Sequence, residues 1–350
     1  MGYTEKKAKY RAAFLFMLVL LAIEVVVCVT LGAAEISFGE SHRIIISKIP
    51  ILKNLVSIDG IDKSHITIIT RLRLPRVIVG GLVGAGLSVT GTAFQGIFKN
   101  PLADPYTIGA SSGGALGAAI AIILKSKIGF GGFSIVSIFA FVGSLLATLA
   151  VYMLGRVGGK VSTTAVILSG VALNALLSSL MSIILLFNKD EMSQIVYWTM
   201  GSLSASNYSQ VAILLFGVIV GISILYIYSR DLNIMLLGEE SAKVLGINTE
   251  KLKIIILFTG SFITGICVSV SGIIGFVGIV IPHIIRIIAG PDNRIIIPFA
   301  SLGGAMFLIA ADTVARILIP PVEIPVGILT SAIGGPFFIY ILLKNKKKMA

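Results

Sequence analysis

Stretches of about twenty apolar residues recur along the whole chain, separated by short polar or Gly/Pro-rich breaks, and no other feature limits the fold so strongly. Helices of that length cross the hydrocarbon layer of a bilayer, where a chain must satisfy its backbone hydrogen bonds internally. A water-soluble alternative fails on composition. Hydrophobic residues make up 56% of the 350 and charged residues 13%, against about 25% charged in soluble domains, so there is too little polar surface to coat a core. The sequence predicts an all-α integral membrane protein forming a single polytopic domain over residues 1–350. Its first stretch follows a basic tip (Lys6, Lys7, Lys9, Arg11) and is too long for the core of a signal peptide, so it reads as an uncleaved first span. Cys28 and Cys267 fall inside apolar stretches and read as small packing residues.

Apolar length and breakers place spans near 12–32, 76–98, 105–124, 133–155, 163–187, 209–228, 252–271, 273–289, 297–317 and 326–343, about ten in all. The run Ile254–Ala289 is too long for one span and divides at Ser271-Gly272, with Gly275 and Gly278 just beyond. Lys344, Lys346, Lys347 and Lys348 answer the basic tip at the other end of the chain. If both termini are cytoplasmic by the positive-inside rule, the number of spans must be even, and two short crossings within 252–289 meet that condition. One outer segment breaks the rule, with Arg43, Lys48, Lys53, Lys63, Arg71, Arg73 and Arg76. Either a structured outer segment is carried across despite its charge, or these residues face something acidic outside.

A shift of 181 residues lays Gly84 on Gly265, Ser88 on Ser269, Gly91 on Gly272 and Pro101 on Pro282. The two copies begin at the second and seventh spans, so they would lie upside down relative to one another, a weak inverted repeat of the kind transporters use. Gly80, Gly84 and Ser88 form a small-residue stripe, as do Gly113 and Gly117, and close helix packing accounts for them equally well.

The energy source has to be found elsewhere. Only Glu24 is clearly central in a span, which is sparse for ion coupling. The nearest approach to a phosphate loop, "LGRVGGKVS" at 154–162, has Leu154 where the first glycine belongs and Val161 after the lysine. His42, His65 and His283 show no metal or catalytic spacing, so no catalytic or metal residues are expected. Residues 236–253, "LLGEESAKVLGINTEKLK", are too polar to enter the bilayer and read as a short amphipathic helix with a glycine stop at Gly246.

This segment resembles the coupling segment (236–250) of ABC-transporter membrane subunits, on Glu239, Glu240, Ser241, Ala242, Leu245 and Gly246. Together with "RLRLPR" at 71–76 and the stretches 91–118, 275–298 and 311–342, the chain is similar to the FecCD-type permease family from about Arg71 to Lys344. The resemblance implies the membrane subunit of a binding-protein-dependent importer of iron-siderophore, haem or cobalamin in a bacterial cytoplasmic membrane. It also implies a second permease subunit, homo- or heterodimeric, two ATP-binding subunits that use ATP and Mg, and an extracytoplasmic solute-binding protein. Neither nucleic acid nor a cofactor on this chain is expected. The resemblance assigns docking of the binding protein to Arg73, Arg76 and Arg316, although Arg316 can instead pair with Asp312 one turn away. It assigns the path to the fifth and tenth spans, where Asn174, Ser178 and Ser182 share a face and Thr330 and Ser331 lie; helix packing explains the same stripe. An ion-coupled secondary transporter is the other reading.

Overall fold

The computed structural model describes residues 3–48, 56–124, 129–130 and 133–349; Lys53, counted above among the outer cations, lies outside them. Helices are α1 (Tyr3–Thr30), α2 (Phe38–Ser47), α3 (Lys63–Thr67), α4 (Leu74–Phe98), α5 (Ala110–Ile123), α6 (Ile135–Leu154), α7 (Thr163–Phe187), α8 (Met192–Thr199), α9 (Tyr208–Ile227), α10 (Ser229–Leu236), α11 (Glu239–Val244), α12 (Thr249–Ser271), α13 (Val277–Ala289), α14 (Asn293–Ile317) and α15 (Val326–Met349). Two-residue strands β1 (Gly129–Phe130) and β2 (Phe133–Ser134), and β3 (Arg156–Val157) and β4 (Lys160–Val161), pair as small hairpins.

Each expected span carries a helix. Seven helices among the described residues are long and apolar enough to cross a membrane, and the apolar helices at Ala110–Ile123, Val277–Ala289 and Val326–Ile341 are shorter. At 14 residues, α5 is about 21 Å long, less than the ~30 Å hydrocarbon layer. The expected span at 105–124 begins instead with a 3-10 turn, Pro105–Ile108, led by Asp104, whose side chain accepts from the Tyr106 N–H. Asp104, Pro105, Ile108 and Gly109 are buried, which is what lets irregular backbone persist at membrane depth. The long apolar run breaks where expected: α12 ends at Ser271, Gly272 and Phe276 take positive φ, and α13 starts at Val277. Across that break the Tyr106 hydroxyl donates to the Ile274 carbonyl at 2.6 Å and accepts its N–H at 3.0 Å, joining the two irregular segments.

Helix α4 is the centre of the bundle, packed against α9, α12, α13 and α14. Lipid is as apolar as leucine, so close van der Waals contact must hold such a helix, and its small residues permit that contact. A Cβ on Gly84 would strike the Gly304 carbonyl of α14, and one on Gly91 the Gly278 carbonyl of α13. Gly113 and Gly117 of α5 face Gly143 and Phe139 of α6 in the same way. The contacts also obey the repeat. The 181-residue shift lays α4 largely on α12, and counting on in chain order from that pair, not by the fixed shift, matches α5 and α6 with α13 and α14. The pairs α4–α14 and α4–α13 are then mirrored by α12–α6 and α12–α5. The two halves interlock through each other's helices.

The segment between α1 and α4, expected to lie outside, has a core of its own. Ile36, Ile44, Ile61 and Ile69 close over Val29 at the end of α1, with Val77 and Ile309 beneath. Between α3 and α4 the helix widens to a π-helical stretch, Ile68–Arg73, closed by Leu74 N–H to the Ile69 carbonyl. Pro75 follows directly. Its ring lacks an N–H and crowds the carbonyl four residues back, and a wider turn relieves both problems.

Candidate coupling and docking sites

Residues 236–250, expected to be the coupling segment, are held by a buried lysine. Lys253 is 3% exposed, and its Nζ donates to the Glu239 carboxylate at 2.8 Å, the Val161 carbonyl at 2.8 Å and the Glu250 carboxylate at 3.3 Å. Glu250 in turn accepts the Val161 N–H at 2.7 Å, so both polar atoms of that residue's backbone are engaged by the first turn of α12. Partial burial alone would raise the Glu239 carboxyl, but the Lys253 bond and charge, with Lys243 behind, hold it below the usual carboxylate range. On the other side Asn233 of α10 donates to Asp292 at 2.6 Å and accepts the Asn293 N–H at 2.8 Å, fixing α10 to the start of α14. The Arg294 guanidinium bonded to Asp292 holds that carboxyl below its usual range as well.

Gly246 ends α11 as its sequence position suggests. Its φ is +84°, its N–H reaches the Lys243 carbonyl, and the Ile247 N–H reaches the Ala242 carbonyl, which together cap the helix. One expectation is corrected. Ala242 was expected to face a partner, yet it is fully buried between α10 and α12 of its own chain, because its methyl lies on the side of α11 that Lys253 pulls inward. The outward residues are Val244, 87% exposed, Leu245, 60%, and Leu237, 70%. Glu240 is also outward, bonded to Lys243 at 2.8 Å, while Ser241 lies exposed beside them.

The arginines need a second correction. Arg73, Arg76 and Arg316 were expected to present free charge at a rim, and all three are buried. Arg76 makes a bidentate pair with Asp312 (Nε–Oδ2 2.8 Å, Nη2–Oδ1 3.0 Å) and donates to Glu323 at 2.7 Å. Arg73 donates to the Thr30, Val29 and Ala34 carbonyls, closing the carbonyl end of α1. Arg316 donates to the Cys28 carbonyl at 2.8 Å and to Thr313. Asp312 therefore serves Arg76 rather than Arg316, since the fork of Arg76 comes at it across the α4–α14 contact while the carbonyl end of α1 occupies Arg316. Among the described residues of this segment, Arg43, Lys48, Lys63 and Arg71 are exposed.

The expected path residues fall into two groups. Gly170 packs on the Thr107 carbonyl, and Asn174 donates to the Tyr106 carbonyl at 3.2 Å, so the start of the stripe binds the 3-10 turn. Ser178 and Ser182 lie on the open face of α7, with the Ser182 hydroxyl returned to the Ser178 carbonyl at 3.0 Å. On α15 the Thr330 hydroxyl is buried on the Gly327 carbonyl, and Ser331 is exposed.

A model of the FecCD transport family matches residues 19–344. The chain belongs to the FecCD transport family. The match reaches well into α1, which the motifs by themselves do not. Among FecCD relatives, the cobalamin import permease BtuC of Halobacterium salinarum is 41% identical over 81% of this chain and 75% of its own. The hemin transport permease HmuU of Yersinia pestis is 35% identical over 95% and 96%. A solved inward-facing ABC transporter, described as of metal-chelate type, superposes with a TM-score of 0.79 at 31% identity, covering 95% of this chain and 99% of that one. This FecCD chain is thus a multi-pass membrane permease of the ABC class, a family devoted to transport.

The residues that sequence reasoning passed over are Lys253, Glu250 and Asn233. Each reads as ordinary polar punctuation at a helix end. Lys253 stands three residues after Glu250 at the start of an apolar helix, which is a weak local signal; its reach to Val161 is a tertiary fact.

Proposed function

We propose that the chain is the membrane-spanning subunit of a binding-protein-dependent ABC importer for a metal chelate, with an iron-siderophore complex the preferred cargo and haem or cobalamin the related ones. It works as a dimer of permease subunits in the bacterial cytoplasmic membrane, both termini inside. Two ATPase subunits bind ATP and Mg below, and a solute-binding protein docks above. The observation that carries the energy assignment is the α10–α11 corner. Leu237, Val244 and Leu245 stand exposed on a polar segment next to Lys253, and a few apolar side chains seated in a partner's groove can carry most of an interface. The two anchors supply the transmission. Movement of α11 is passed through Lys253 and Glu250 to the β3–β4 hairpin that leads into α7, and through Asn233 to α14.

The path reading favours short hydroxyls on open helix faces, Ser178, Ser182 and Ser331, because a bulky solute held by its binding protein needs a passage that binds weakly. Asn174 and Thr330 shape that passage from behind. At the outer end Arg73, Arg76 and Arg316 keep the corner in register, and Arg43, Lys48, Lys63 and Arg71 supply the charge that an acidic partner would meet first.

A Leu245→Cys reporter tests both orientation and coupling, since Cys28 and Cys267 are buried. It should resist an impermeant maleimide in intact cells, react in inside-out vesicles, and be protected when the ATPase subunit is bound. Labelling from outside would refute the orientation, and equal labelling with and without the ATPase would refute the coupling site.

A further inference from the structure

A groove of about 900 Å³ lies between the basic start of α1, the end of α9 and the α13–α14 corner. Its walls carry two kinds of chemistry. Lys7, Arg11 and Arg294 bring three cations against one carboxylate, Asp292, and the body is apolar, with Tyr10, Phe14 and Phe299 prominent. Asp292 is held by Asn233 and Arg294, and among the described residues neither Lys7 nor Arg11 is bonded to a carboxylate. The floor is built: the Tyr10 hydroxyl donates to the Ala289 carbonyl at 3.0 Å, and Tyr10 and Phe14 stack edge-on against Phe299 at 6.4 and 5.8 Å. Helix α1 is otherwise scarcely covered by protein, so the groove opens sideways from a helix that faces lipid.

We propose that this groove binds one anionic phospholipid, its phosphate on Lys7 and Arg11 and its acyl chains along Phe14 and Phe299. Charge complementarity selects the headgroup, since basic pockets beside membrane helices attract anionic lipid. Volume selects the tail. A lone phosphate would fill a small part of 900 Å³ and leave water against the aromatic wall. The lipid also lies next to the coupling corner, because the Asp292 that lines the groove is the residue that anchors α10.

The test uses the full chain in a neutral detergent, with fluorescent phosphatidylglycerol as probe and phosphatidylcholine as its uncharged counterpart. Phosphatidylglycerol should bind at least tenfold tighter than phosphatidylcholine. The double variant Lys7→Gln with Arg11→Gln should lose that preference, and Arg156→Gln with Lys160→Gln, which removes two exposed cations elsewhere, should keep it. Equal affinity for the two lipids, or an unaltered preference in the Lys7/Arg11 variant, would overturn the proposal. So would an equal loss in the Arg156/Lys160 variant, which would mean bulk charge only, or full displacement of the lipid by inorganic phosphate, which would mean a free-anion site.

Discussion

Replacing Lys253 with methionine keeps an unbranched apolar stem one atom shorter and removes the buried cation that ties α11 to α12 and the β3–β4 hairpin. Breaking a fully buried ion pair costs about 3–5 kcal/mol, because the partner is left buried and unpaired. Here the partner side chains, Glu239 and Glu250, are 32% and 29% exposed, so water reaches them and the cost falls to about 2 kcal/mol, roughly a thirty-fold shift in equilibrium. That shift belongs to the docking of α11, since α12 remains packed on α4, α6 and α9. Hydrogen exchange is the direct assay. The amides of Ala242 and Ile247, bonded to Gly238 and Ala242 carbonyls, should exchange roughly thirty-fold faster, amides in α4 should not change, and solute uptake in proteoliposomes should fall with the ATPase subunit present. Adding Glu239→Gln should restore part of the protection by removing the stranded charge. The pH dependence has a definite sign. The Glu239 carboxyl is held below its ordinary value of 4.5, so its contribution to docking is complete above that value and is lost as pH falls through the lowered one. Methionine at 253 should flatten this acid-side loss. Exchange of the Ala242 and Ile247 amides within threefold of the native protein would refute the clamp.

Two further outcomes follow from packing. Arg76→Met should lower the thermal midpoint in detergent by the equivalent of about 3–5 kcal/mol, since Asp312 is left almost fully buried, and adding Asp312→Leu should recover most of it; no recovery would mean that the pair is not the cause. Gly84→Ala should cost at least about 1–3 kcal/mol because the new methyl meets the Gly304 carbonyl rather than a movable side chain, while Gly335→Ala, with open space around it, should leave the midpoint unchanged.

Much of the architecture was legible in the chain because bilayer thickness is a ruler that acts on local sequence. Apolar length and breakers matched the helix bounds to within a residue or two for α6, α7 and α9, and the break after Ser271 followed from glycine spacing. Gly246 is a similar case, because a left-handed cap is a property of one residue and its two neighbours. The small-residue stripes at Gly84 and Gly113 announced close contact without saying with what. The guanidinium groups show why the rest was hidden. Span counting and the family resemblance expected Arg73, Arg76 and Arg316 at an outer rim, but whether a cation faces water or turns inward depends on acceptors far away in sequence. The end of α1 offers bare carbonyls to Arg73 and Arg316, and Asp312 arrives 236 residues beyond Arg76 to accept its fork. The same is true of Ala242, whose helix is amphipathic on paper with either face available to a partner; only Lys253, reaching at once to Glu239 and to a hairpin 92 residues earlier, decided which face turned in. Periodicity and length are set by neighbours along the chain, and partner choice by what the fold carries alongside.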